Sequence, residues 1–142
     1  MEFKTYHPLN RTIENSELWI VRVMQLLHLK NRKNAVRLLR GALHVVREEF
    51  TDEQNNLLAR RLPVVVWLLF YMDDDSFPNR SGGSLDERFA HYCPDTFNPE
   101  NNHRMSLNVI LKVIQSFVDH PGIDVFLSDS VVAGHEMAEF VL

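Results

Sequence analysis

Lys33, Arg37, Arg40, His44 and Arg47 recur at steps of four, three, four and three, so on a helix these basic or titratable groups fall along one face. Such a stripe is the chain's strongest candidate for a surface that holds an anion or an acidic protein partner, and Arg60 and Arg61 follow closely in sequence. A solvated face offset by Glu48, Glu49 and the acidic second half is the simpler and commoner explanation of a charge run. His44 and Glu48, four apart, are spaced for a hydrogen bond that would orient an imidazole for acid–base work. The sequence places no serine or cysteine beside them, so no catalytic residue is assigned.

His91, Cys93 and His103 offer three metal-binding atoms, but not at the C-x-x-C or H-x-x-x-H spacings that zinc sites use, so Cys93 reads as a partly buried small residue and the histidines as surface groups. Asp73-Asp74-Asp75 lacks the turn glycine and distant glutamate of a cation loop and reads as a solvated connection. Neither a metal nor another cofactor is expected. Trp67 and Tyr71 are candidates to line a pocket, yet aromatics at helical spacing within a fully apolar run, with Phe70 between them, are more simply core.

These groups sit on a chain of 142 residues, 45% hydrophobic and 24% charged, which is the size and balance of a single domain with a substantial core. Its one cysteine excludes an internal disulfide, and no basic segment leading into an apolar stretch and cleavage site opens it; the expectation is a reducing, cytoplasmic setting. The longest apolar run, Leu62 to Met72, falls well short of the ~20 residues of a membrane span. The net charge of −4 hides an imbalance: residues 1–71 carry 11 Lys/Arg against 7 Asp/Glu, and residues 72–142 carry 4 against 12. Halves of +4 and −8 can pack on each other or bring one molecule's basic face to another's acidic face. With a pI near 5.9 and no aromatics interleaved with the basic stripe, nucleic acid is not an expected partner.

The elements follow from periodicity and punctuation. Residues 1–11 show no period and read as an extended lead-in. A first helix from near Thr12 carries Ile13, Trp19, Ile20, Val23, Met24, Leu26 and Leu27 along one side, ending at the polar run Lys30 to Lys33. The second helix repeats Val36, Leu39, Ala42, Leu43, Val46 and Phe50; Gly41 within it costs about 1 kcal/mol against alanine and calls for another backbone approaching closely there. Thr51 with Gln54 predicts a capping box and a short helix through Ala59, and Pro63 opens a fourth. A surface loop spans 73–83, Ser84 with Glu87 predicts another capped start running to about His91, and a loop with Pro94 and Pro99 follows. A long helix carries Leu107, Ile110, Leu111, Ile114, Phe117 and Val118, ending before Pro121-Gly122, and the remaining segment is expected to be helical despite Gly134. Seven helices in all are expected, in a first half (1–71) and a second (84–142).

Shifted by 68 positions, Leu39, Ala42, Leu43, Val45, Val46 and Phe50 lie over Leu107, Ile110, Leu111, Val113, Ile114 and Val118, an echo consistent with two copies of one helical unit. The run Leu39-Arg40-Gly41-Ala42-Leu43-His44-Val45-Val46-Arg47, followed by Thr51-Asp52-Glu53, Leu62-Pro63 and Phe70-Tyr71, resembles the bacterial family of domains of unknown function DUF2267. Val109 to Gly122 is similar to that family's second copy, so the resemblance runs from about Glu17 onward. Trp67 stands where the pattern has Arg, and Ser128-Asp129-Ser130 stands where the second copy would have Leu-Pro. The resemblance implies an all-helical duplicated domain and no particular activity.

The resulting expectation is an all-α, single-domain helical bundle acting without catalysis, as an interaction or scaffold domain in a bacterial regulatory or stress context, its basic stripe facing an acidic protein or other anionic partner. A small-molecule-binding or sensing bundle with a pocket near Trp67 and Tyr71 is the second reading, and an enzyme built on His44 and Glu48 the third. Wide apolar faces on at least three helices also suit a homodimer.

Overall fold

Gly41 to Val46, six successive residues of one helix, are all buried, so that helix must be enclosed on every side rather than on one face. The computed structural model describes residues 8–72 and 83–118, with side chains from residue 13 onward. Six α-helices occupy these residues: α1 (Pro8–Leu27), α2 (Arg32–Glu49), α3 (Asp52–Ala59), α4 (Val64–Tyr71), α5 (Leu85–Tyr92) and α6 (His103–Val118), with no strand among the described residues. The enclosed helix is α2, packed against α1, α4, α5 and α6, while α1 also meets α4 and α6. Its neighbours bring Trp19, Ile20, Val23 and Leu27 from α1, Val66 and Phe70 from α4, Phe89 from α5 and Ile110, Leu111 and Ile114 from α6. The all-helical class is as the periodicity predicts; the seventh helix, Gly134 and the acidic run 73–75 lie outside the described residues.

Several local expectations are corrected. The first helix starts at Pro8, not near Thr12, so the last four residues assigned to a lead-in are already helical; proline is well placed there because an early-turn N–H has no partner in the helix. Ile13, at the head of the expected apolar stripe, is exposed, as is Phe117 near the end of α6. Pro63 stands one position ahead of α4, its carbonyl accepting from the Trp67 N–H at 2.8 Å. No side-chain cap hydrogen bond is made by Pro63, and the buried Ser16 hydroxyl of α1 instead accepts from the Val65 N–H at 3.0 Å.

Both capping boxes are complete. Thr51 Oγ1 accepts from Gln54 N while Gln54 Oε1 accepts from Thr51 N, and Ser84 and Glu87 make the same reciprocal pair. Asn31 caps α2 by accepting from Lys33 N at 2.8 Å. The other end of α1 is closed by His28 in the left-handed region (φ 55°), with Leu29 N donating to Met24 O at 2.9 Å. Its last carbonyls are then covered from far along the chain: Asn101 Nδ2 donates to Leu27 O at 2.8 Å, and Asn98 Nδ2 to Leu27 O at 3.1 Å and His28 O at 3.3 Å. These amides fix the 93–102 connection against α1.

Gly41 marks a close approach, though of side chains rather than of backbone. A Cβ at that position would lie 3.3 Å from both Cys93 Cβ and Phe89 Cε1, so glycine is what lets α5 settle onto α2. Near the C-terminal end of α2, Arg88 of α5 is buried and its guanidinium bridges Glu48 Oε1 at 3.2 Å and Glu49 Oε2 at 2.5 Å. On the surface, Arg32 pairs with Glu17 and holds that carboxyl below its ordinary range chiefly through the hydrogen bond. Every one of the six residues in each register of the internal echo is buried, as the core-facing positions of two packed helices are.

Candidate functional site

The basic stripe of α2 is not one continuous surface. Lys33 and Arg37 are exposed, Arg40 and Arg47 are half-buried, and His44 is only 7% exposed. Spacing placed His44 on a solvated face, but the C-terminal end of α4 packs on that face. There Arg47 Nη1 donates to the Phe70 carbonyl at 3.3 Å, with its guanidinium 5.6 Å from the Tyr71 ring centroid. Arg40 Nη1 lies 4.0 Å from Met72 Sδ. Arg60 and Arg61 belong elsewhere, lining a cleft with Trp19 and Phe117, whose rings stack at 5.2 Å.

Arg37 and Arg40, one turn apart, form a wall of a cleft of about 360 Å³. The opposite wall is the C-terminal end of α5 and the connection after it, with Tyr92, Cys93, Pro94, Asp95 and Phe97 facing in. Local chemistry shapes that connection. Asp95 Oδ1 accepts from Phe97 N at 2.8 Å, an Asx-type turn, and Asn98 Oδ1 accepts from Glu100 N at 3.0 Å. Phe97 is held at φ 64°, the left-handed region that a non-glycine residue rarely occupies, and the Arg37 guanidinium carbon lies 6.0 Å from its ring centroid. On the floor, the Tyr92 ring meets the His44 ring edge-to-face at 5.3 Å. Sequence reasoning found the two arginines and missed Tyr92, Asp95 and Phe97. The available signal was the pair of Asx positions, Asp95 and Asn98, between two prolines, which marks a stiff connection instead of a slack one.

The second feature is the outer face of α4. Trp67 (40% exposed), Leu68 (51%), Tyr71 (37%) and Met72 (44%) are all presented to solvent, while Val66, Leu69 and Phe70 turn inward. The expectation that the whole run is core is therefore wrong: a helix so uniformly apolar carries no polar face to indicate its outer side. Trp67 and Tyr71 pack edge-to-face at 5.2 Å and line neither of the two clefts above. Arg40 and Arg47 border this face through Met72 and Tyr71.

The groups considered for chemistry are drawn into structure. Glu48, expected to orient His44, accepts from Arg88. His44 is held below its ordinary value of 6.5 by burial first and then by the positive charges of Arg40 and Arg47, against the opposing influence of the Leu69 and Met72 backbone. The Cys93 thiol is pushed up to about 11, chiefly by burial, and Sγ lies 3.4 Å from the Asp95 carbonyl oxygen, so the thiol stays protonated at neutral pH. Instead of meeting that sulfur, His103 Nε2 lies 2.8 Å from the Cys93 carbonyl oxygen; His103 is half-buried against Phe89 rather than a surface group. No group of three or more His, Cys, Asp or Glu among the described residues is arranged to hold a metal ion. No helix among the described residues is long and apolar enough to cross a membrane.

A pH dependence follows from His44. Because its folded-state value is depressed, the unfolded chain binds the extra proton between that value and 6.5. This contribution to stability is complete above about 6.5 and is lost as pH falls toward the folded-state value. Urea unfolding at several pH values is expected to show wild type weakening below pH 6.5 more steeply than His44→Gln. Parallel curves would show that His44 is not the group responsible.

No family model matches the chain, and no curated protein matches it.

Proposed function

We propose that this protein is a non-enzymatic interaction domain whose docking surface is the outer face of α4 with its two bordering arginines. One observation carries the reading: Trp67, Leu68, Tyr71 and Met72 are exposed together beside Arg40 and Arg47. Trp, Tyr, Met and Arg are the residue types enriched where proteins bind proteins, since each combines a large apolar surface with a polar or polarisable group. A contiguous apolar face rimmed by charge on a soluble surface marks such a site. The two arginines select the partner, an amphipathic helix with an apolar stripe flanked by acidic residues. Against a catalytic reading stand the buried His44 and the Cys93 thiol kept protonated by its surroundings.

A peptide-display selection against the protein is expected to enrich helical sequences that combine Leu, Phe or Trp with Asp and Glu. Their affinity is expected to fall by about tenfold or more against Trp67→Ser, in line with the loss of a single aromatic anchor. Enriched peptides that bind Trp67→Ser as tightly as wild type would sink the reading. Concentration-dependent sedimentation abolished by Trp67→Ser would instead make a second copy of the chain the occupant.

Within this reading the chain is a duplicated helical domain of the DUF2267 type in a bacterial regulatory or stress setting. Supporting this are the Leu39–Arg47 pattern, the capped start at Thr51, the Leu62-Pro63 helix opening and the paired burial of α2 and α6.

A further inference from the structure

We propose that the cleft between α2 and the 93–97 connection is a binding site for a small, singly charged aromatic carboxylate. Its volume of about 360 Å³ is large enough for a small molecule, ligand pockets running from ~300 to ~1,000 Å³. The charge on its walls decides the class. Arg37 offers forked N–H donors that match a carboxylate, Arg40 adds positive charge one turn along the same wall, and Asp95 contributes one negative charge, so the lining is net +1 among the described residues. A monoanion balances that charge; a phosphate monoester would bring a second negative charge toward Asp95, and a cation would be repelled.

The remaining walls favour an aromatic body. Phe97, Tyr92 and Pro94 provide flat apolar surface, and the neutral Cys93 thiol adds a soft contact. The site is also built before any ligand arrives. Asp95 holds Phe97 in its left-handed backbone conformation, Asn98 and Asn101 tie the connection to α1, and the His44 edge supports Tyr92. A strained non-glycine residue retained at the mouth of a cleft is where backbone strain accompanies function. Rigid walls reduce what binding must order, which favours affinity for a small ligand.

The test is an amide-resolved NMR titration of the full chain with three probes: phenylacetate, its neutral analogue phenylacetamide, and phenyl phosphate. Phenylacetate is expected to give saturable shifts confined to residues 37–41 and 92–98 at millimolar concentration. Phenylacetamide is expected to bind about tenfold or more weakly, and phenyl phosphate more weakly than phenylacetate. Arg37→Gln, a change at an exposed residue one turn from Arg40, is expected to weaken phenylacetate about tenfold. Phe97→Gly suits the positive φ, so the fold is retained while the aromatic wall and phenylacetate binding are lost. The proposal is overturned if phenylacetate gives no saturable shifts, if the amide binds as well as the acid, or if Arg37→Gln leaves binding unchanged. Phenyl phosphate binding tighter than phenylacetate would overturn the assignment to a single charge.

Discussion

Replacing Phe89 with alanine is expected to lower stability by about 3–5 kcal/mol, the range for deleting a fully buried aromatic ring. The ring is wholly enclosed between Gly41 of α2 and His103 of α6, so its loss leaves a void at the point where three helices meet. For a domain of this size the thermal midpoint should fall by more than about 10 °C. Gly41 makes the prediction specific. On its own, Gly41→Leu forces atoms into a space where even a Cβ sits 3.3 Å from Phe89, which should cost about 1–3 kcal/mol. In the Phe89→Ala background the same leucine enters the vacated volume, so the double variant should be more stable than the two single changes predict, by about 1 kcal/mol or more. Denaturant unfolding of the four proteins measures that coupling. Simple additivity would show that the glycine and the ring do not share one packing site.

Arg88→Met is the second large effect, with an expected loss of about 2–3 kcal/mol. The arginine is buried while its partner carboxylates on α2 retain some access to water, so the loss is smaller than for a fully enclosed ion pair. Methionine preserves most of the volume, which isolates the charge: Glu48 and Glu49, adjacent in sequence, lose the cation between them. Arg88 Nε has no hydrogen-bond partner among the described residues, so the bridge is itself imperfectly satisfied. Adding Glu48→Gln and Glu49→Gln to Arg88→Met should therefore restore most of the loss. Salt should do little, because buried pairs are weakly screened. A single variant within about 0.5 kcal/mol of wild type would mean the bridge is an ordinary surface contact.

The sequence was most informative where a local rule acts alone. Thr51 and Gln54, or Ser84 and Glu87, need only each other to start a helix, and both pairs do so as predicted. The spacing of Leu107 to Ile114 likewise identified a buried α6. Where burial is decided by distant elements, local pattern misled. His44 lies on the polar side of an amphipathic repeat, yet the end of α4 covers it. Trp67 and Leu68 are as apolar as Val66 and Leu69, and nothing in the run distinguishes outer from inner positions. Arg37 and Arg40 were visible as a charged face, but the cleft they line exists only because a turn at Asp95 brings Phe97 across from them.

The amides of Asn98 and Asn101 impose a timetable on the nascent chain. The Leu27 carbonyl meets the Asn101 amide 74 positions later, so at a ribosomal pace of ~5–20 residues per second the end of α1 waits about 4–15 s for its cover. During that interval the +4 half must persist with bare carbonyls at its first helix end and without α5 and α6 over α2. A fragment stopped after Met72 would lack both amides and the helices over α2, so it should be less stable than the same segment within the full chain.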